Sequence, residues 1–344
     1  MKKNLFVRVD VTPKIGTGHF FRCLTLTKNL INIFDEIIFI TNTNDKNIIE
    51  LILENEGYSI IPYESIDKLH LTINNSINWN KQSAKNFLLI DNYDLDWNFE
   101  SSVRNIFNKI FVIDDLANRK HDCDLLIDQN YYHDQDIRYK KLLPESAQIL
   151  IGPKYAIIRN EFKNVKKINF KNIKNILVSF GGSDPTNECE KILKAFSSKN
   201  SLNFNIIVIA GIFNNNYLKL KKEFQNTPNV KIFDYVKNIG QLMSDSDLFI
   251  GAGGTTTWER FYLGLPSITT IISDNQTESI EFLSKMGHVI NLGFGKDVTS
   301  EKYLQTLQNL ENNFLSDISK KNRSLVDGNG TDRIKQQIIE LISD

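Results

Sequence analysis

The chain has 344 residues, 41% of them hydrophobic, and its 41 lysines and arginines balance 41 aspartates and glutamates to a formal net charge of zero. That length suits two domains of roughly 150 residues rather than one core, and the even charge excludes the basic excess of a nucleic-acid binder. Cys23, Cys123 and Cys189 are odd in number and far apart, which excludes a disulfide framework and metal-ligand spacing and fits reduced thiols in a cytoplasmic protein.

The first predicted strand is Leu5–Val9, carrying Arg8 and followed by Asp10. After it come the glycine turn Ile15-Gly16-Thr17-Gly18-His19, then Arg22, and an amphipathic segment, Leu24–Leu30. Strand, glycine turn and helix in that order let a ligand approach bare backbone, with free N–H groups at the helix start. The helix dipole disfavours an imidazolium at His19, so this histidine is expected to stay neutral and able to accept a proton. A histidine that only caps or packs is the plain alternative; the glycines on either side and Arg22 one turn on favour chemistry on a phosphorylated substrate.

Strands Glu36–Ile40, Phe87–Asp91, Ile110–Asp114 and Leu125–Asp128 follow, with helical spacing at Ile48–Leu53. Two of them end in acidic loops, Asp91-Asn92-Tyr93-Asp94 and Asp114-Asp115, which can reach His19. Tyr93 is a candidate hydrogen bonder to substrate; Asp114 and Asp115 serve equally as caps. His121 and His133 are read as surface or structural. The polar, lysine-rich Asn164–Lys174 predicts a boundary, giving domains 1–165 and 166–330 and a terminal helix, 331–344.

The second series of strands is Ile176–Phe180, Phe204–Ala210, Val230–Phe233, Leu248–Gly251 and Ser267–Ile272, with helical spacing at Cys189–Phe196. Many of the runs in both series are continuously apolar, as in parallel strands covered on both faces. The expected class is α/β, with two doubly wound Rossmann-like domains and a cleft between them. In the tail, Gly328 and Gly330 prepare a helix with Thr331 as N-cap.

Three turns of the second half carry candidates. In Gly251-Ala-Gly-Gly-Thr255, the amides of Gly253, Gly254 and Thr255 can hold a pyrophosphate at a helix N-terminus. Glu259, one helical turn on, suits the two hydroxyls of a ribose. A dinucleotide fingerprint is not met, because Thr256 stands where its third glycine belongs. Ser183, in Phe180-Gly-Gly-Ser-Asp-Pro185, fits a ligand contact or a structural turn. Asn275 and Gln276 offer neutral groups of the kind that read sugar hydroxyls or acetamido groups, and an ordinary polar loop fits them as well. The D-x-D strings at 94–96, 122–124, 134–136 and 245–247 do not follow strands as a metal-holding loop would, so no metal site and no cofactor are expected. A G-x-S-x-G nucleophile elbow is absent from the sequence. No apolar run approaches the roughly 20 residues of a membrane span, and the N-terminus has no signal-peptide pattern; monomer is the default expectation.

These motifs, in their order, resemble the UDP-sugar hydrolases of pseudaminic acid biosynthesis, relatives of the GT-B glycosyltransferases of the MurG type. The resemblance rests on Arg8, Asp10, Ile15 to His19 and Arg22; on Ile90, Asp91 and Tyr93; and on Asp114-Asp115. It continues through Cys123-Asp124, Leu126, Asp128 and Asn130, then Gly152, Tyr155-Ala156 and Arg159. In the second half it rests on Gly181–Asp184, Glu259 and Asn275-Gln276. It implies His19 as catalytic base, Glu259 at the ribose, and metal-independent attack of water on an anomeric carbon. UDP would be released, with inversion, from UDP-2,4-diacetamido-2,4,6-trideoxy-β-L-altropyranose. Arg8, Asp10, Gly16, Gly18, Arg22, Tyr93, Ser183, Gly253, Gly254, Thr255, Asn275 and Gln276 are the accompanying substrate contacts. A GT-B transferase using a UDP-N-acetylamino sugar would use the same cradle and base, a hydrolysing 2-epimerase shares the architecture, and a non-catalytic nucleotide-sugar binder would leave His19 idle.

Overall fold

The computed structural model describes residues 1–42, 46–54, 57–63, 69, 73, 84–197 and 204–343. The chain divides into one unit of residues 1–157 with 329–344 and a second of residues 158–328. Each is built on a parallel sheet.

In the first unit the strands are β1 (Lys2–Val9), β2 (Glu36–Thr41), β3 (Tyr58–Pro62), β4 (Ala84–Asp91), β5 (Lys109–Ile113), β6 (Leu125–Asp128) and β7 (Gln148–Ile151). Their spatial order is β3-β2-β1-β4-β5-β6-β7, every pair parallel. In the second unit β8 (Asn175–Ser179), β9 (Asn205–Ile209), β10 (Val230–Phe233), β11 (Leu248–Ala252), β12 (Ser267–Ile271) and β13 (Ile290–Phe294) run in the order β10-β9-β8-β11-β12-β13, again parallel throughout. This is the α/β pair of doubly wound, Rossmann-like sheets that the apolar runs predict.

The ten predicted strands are present, and three more, β3, β7 and β13, join them. All three lie at sheet edges. An edge strand is only partly covered, so it needs no unbroken apolar run, and most residues of these three are half-buried or exposed. Central strands behave oppositely: β1 is buried from Leu5 to Val9 and β11 throughout.

The polar stretch places the domain boundary at 165/166, whereas the contacts change at 157/158. Residues 158–165 already pack with the second unit through buried Ile158 and Phe162. The last helix, Gly330–Ser343, returns to the first unit, where it lies on the helix Gly18–Leu30 and on the turn Pro153–Tyr155. Its buried Ile334, Ile338, Leu341 and Ile342 form one apolar stripe. Thr331 sits inside this helix and is buried, so the N-cap position falls two residues earlier, at Asn329. Asp344, the last residue of the predicted tail, lies outside the described residues.

Gly330 lets this helix touch the chain: a Cβ there would stand 2.3 Å from the carbonyl oxygen of Ala156 and 2.5 Å from its nitrogen. Gly330→Ala should therefore cost about 1–3 kcal/mol, as overpacking against backbone does. Urea unfolding monitored by circular dichroism checks this, and an unchanged midpoint would remove the close contact as a constraint.

Candidate active site

In both sheets the strand order reverses once, between β1 and β4 and between β8 and β11. Chains leave these neighbouring strands toward opposite sides, opening a crevice at their carboxyl ends. The turns carrying Gly16 to His19, Ser183, and Gly253 to Thr255 follow β1, β8 and β11, whereas Asn275 and Gln276 follow β12.

In the first unit, Val9 and Asp91 end β1 and β4 as register partners. Past β1 the chain turns tightly: the Gly16 amide donates to the Thr12 carbonyl at 2.7 Å, and Gly16 takes a φ of +79° that only glycine adopts without strain. The helix α1 (Gly18–Leu30) then starts, with His19 as its second residue. His19 Nδ1 lies 2.5 Å from Asp91 Oδ1. Arg22, on the same face three residues on, donates to Asp91 from Nε at 2.5 Å and Nη2 at 2.6 Å, and from Nη1 to Asp115 at 2.9 Å. Tyr93 donates its hydroxyl to Asp115 at 2.6 Å and sets its ring edge-on to His19, centroids 4.7 Å apart.

Burial by itself would raise the carboxyl pKa of Asp91, but Arg22 and then His19 hold it well below the usual carboxylate range. Burial, and next the charge of Asp115, push the Tyr93 phenol far upward, so it serves as a donor. The helix dipole is thus not the only field at His19. A buried anion faces its Nδ1, which puts the Nδ1 proton toward Asp91 and turns Nε2 into the atom that exchanges protons.

Arg8 and Asp10, predicted at the substrate, are buried and spent on each other. Arg8 donates from Nη1 and Nη2 to the two carboxylate oxygens of Asp10, each at 2.7 Å. The Tyr63 hydroxyl donates to Asp10 at 2.8 Å and contacts Arg8 Nη2, with the Arg8 guanidinium 4.2 Å over its ring. Asn92 adds a bond to Asp10 at 2.9 Å. Arg8 is fully enclosed, so it positions Asp10 rather than touching a ligand. Tyr63 had no signal in the sequence, because it joins this cluster only through β3. His121 is structural: buried, it pairs with Glu100 at 2.7 Å.

In the second unit, β8 and β11 lie so close that a Cβ on Gly251 would stand 2.0 Å from the Ser179 carbonyl oxygen. The turn after β8 holds half-buried Ser183, while Asp184 caps the helix Glu188–Ser197 by accepting from the amides of Glu188 and Cys189, both at 2.9 Å. After β11, Gly253 gives way to Ile280, whose side chain a Cβ would meet at 2.2 Å; a Cβ on Gly254 would meet nothing within 4 Å. Gly253 is therefore explained by packing, and Gly254 leaves open space beside the turn. Thr255 precedes the helix α2 (Thr256–Leu263), where the Thr257 and Trp258 amides donate to the Gly254 and Thr255 carbonyls at 3.0 and 3.3 Å.

Glu259, in α2, is buried and accepts from Arg159 Nε at 2.6 Å and Nη2 at 2.8 Å; Arg159 also meets Glu161 at 2.9 Å. The pairing joins residues 100 positions apart and is invisible to local pattern. Asn275 and Gln276 lie in the turn Asp274–Gln276 after β12, with Gln276 Oε1 accepting from the Ile272 amide at 3.3 Å.

Residues 176–338 match the Glycosyltransferase family 28 C-terminal domain. The chain is similar to an uncharacterized protein of Methanocaldococcus jannaschii, 31% identical over 80% of this chain, which spans about 57% of that protein's length. It is 27% identical to the UDP-2,4-diacetamido-2,4,6-trideoxy-beta-L-altropyranose hydrolase of Campylobacter jejuni, over 82% of this chain and 97% of the hydrolase. Among solved structures, MurG of Acinetobacter baumannii superposes with a TM-score of 0.66 at 15% identity, covering 99% of this chain and 100% of MurG, which shows the shared fold. No helix among the described residues is long and apolar enough to cross a membrane.

Asp91→Asn would leave His19 and Arg22 without their shared anion and should cost about 3–5 kcal/mol at pH 7, as expected for breaking a buried pair. Because the folded-state pKa of Asp91 is depressed, its contribution is complete above the unfolded value of about 3.9 and fades as pH falls below it. Urea titrations at pH 7 and pH 3 should show the gap between wild type and variant narrowing in acid; a constant gap would mean that Asp91 is not held ionised.

Proposed function

We propose that the chain hydrolyses UDP-2,4-diacetamido-2,4,6-trideoxy-β-L-altropyranose, releasing UDP. The observation that carries this reading is the 2.5 Å contact between His19 Nδ1 and Asp91, at the carboxyl end of β4. With Nδ1–H directed to Asp91, His19 Nε2 takes a proton from water as the water oxygen bonds to the anomeric carbon. The bond from that carbon to the diphosphate oxygen breaks, UDP leaves with the electron pair, and the configuration inverts. Arg22, Asp115 and Tyr93 keep the imidazole in place, and the buried Arg8–Asp10 pair supports the turn before α1.

UDP is already a good leaving group, so positioning and reception of charge do most of what is needed. The amides of Gly253, Gly254 and Thr255 at the start of α2 receive the diphosphate without a metal or other cofactor. Glu259 accepts from the ribose hydroxyls, and Ser183, Asn275 and Gln276 contact the remaining polar groups of the ligand. Support comes from the hydrolase similarity over most of both chains. The match to a glycosyltransferase domain favours one rival, transfer of the same kind of sugar to an acceptor other than water.

The purified protein, given the UDP-diacetamido sugar and no acceptor, should release UDP and free sugar together, with the altro configuration retained at C2 by NMR. His19→Ala should lower turnover by about 10²–10⁴, the usual contribution of a positioned base. UDP release that needs an added acceptor would establish the transferase reading, inversion at C2 an epimerase, and no turnover with any UDP-sugar a binding protein.

A further inference from the structure

Arg260 is among the largest fully buried side chains of the molecule. It follows Glu259 in α2, yet its guanidinium takes no part in the Arg159–Glu259 pair. Nη1 donates to the Ala252 carbonyl at 3.1 Å and Nη2 to the Thr257 hydroxyl at 2.9 Å. The Cζ atom stands 4.4 Å from the centre of the Phe249 ring, on β11. Nε has no hydrogen-bond partner, and among the described residues no carboxylate forms an ion pair with this side chain.

Such an arrangement is costly. A buried charge without a bonded counter-charge loses its hydration for little return, and an apolar side chain of similar volume is often more stabilising in its place. Burial, opposed only by the charge of neighbouring Glu259, brings the guanidinium pKa down to about 9, which leaves it cationic at neutral pH. The location gives the charge a use. Ala252 directly precedes Gly253, and Thr257 is the second residue of α2. Arg260 therefore spans the turn Gly253–Thr255 from the protein side, bonded at both of its ends, while Gly254 leaves the other side open.

We propose that Arg260 is the positioning cation of this turn, holding its two ends and supplying a buried positive charge that favours a nucleoside diphosphate over the neutral nucleoside. The inference rests on the reading above that the turn receives the diphosphate. An anion on the outer side of the turn would supply the counter-charge that the interior lacks. At the low effective dielectric of such a place, the attraction survives where a surface arginine would be screened. A role confined to packing would show no dependence on the charge of the ligand.

The test measures binding of UDP, UMP and uridine by competition calorimetry to wild type, Arg260→Met and Arg260→Lys, with a thermal melt of each. Arg260→Met should keep uridine affinity within about twofold, weaken UDP by about tenfold (~1.4 kcal/mol), and melt no lower than wild type. Arg260→Lys should retain part of the preference for UDP. An undiminished UDP-to-uridine ratio in Arg260→Met overturns the proposal, as does a parallel loss of both ligands with a lower melting temperature. Should the methionine variant not fold, the ratio in Arg260→Lys decides in the same way; if neither folds, the arginine is structural and the proposal falls. A wild type that binds uridine as tightly as UDP would instead strike the diphosphate reading of the turn itself, and this inference with it.

Discussion

The first unit depends on one anion. Asp91 ends a central strand almost wholly buried, and a carboxylate can stay ionised there only if the chain brings cations or donors to it. Helix α1 does so with a single face: His19 and Arg22, three residues apart, close on both oxygens of Asp91. Arg22 has donors to spare and reaches Asp115 beyond β5, which in turn receives Tyr93. The ends of neighbouring strands and the start of a helix are thereby tied through charge-assisted bonds, which are shorter and stronger than neutral ones. The imidazole at the open end inherits a defined orientation from a network built mainly to satisfy a buried charge.

A second buried pair follows the same physics with a different outcome. Asp10 receives Arg8, Tyr63 and Asn92, contributed by β1, by the residue after β3 and by the loop after β4. These bonds tie the strand ends beside the site to one another. The second unit relies on backbone instead. Its turns bring glycine carbonyls and amides close together, and its charged residues, Glu259 with Arg159 and the solitary Arg260, stand around a helix start rather than a carboxylate.

Much of this was legible in the chain. Central strands declare themselves because parallel strands buried on both faces admit only apolar side chains, as in Leu5–Val9 and Leu248–Ile250. Glycine turns are equally visible, since Gly16 needs a positive φ and Gly251 has no room for a Cβ. Three of the four edge strands, β3, β7 and β13, were not visible, because half-covered backbone tolerates polar residues. Nor was the return of the last helix to the first unit: its amphipathic stripe says that it must dock, not where. Tyr63 and the pairing of Arg159 with Glu259 escaped for a related reason, each contact spanning more than 50 residues of chain.

By itself the sequence determined the α/β class, the two sheets and the turns at their carboxyl ends, because periodicity, continuous apolar runs and glycine are local properties of a chain. Tertiary structure alone decided which charges meet. It gave Asp91 to His19 and Arg22, withdrew Arg8 and Asp10 into the interior, joined Arg159 to Glu259 and left Arg260 without a carboxylate partner among the described residues. Electrostatic pairing depends on distance and burial in three dimensions, and neither is written in the spacing of residues along one.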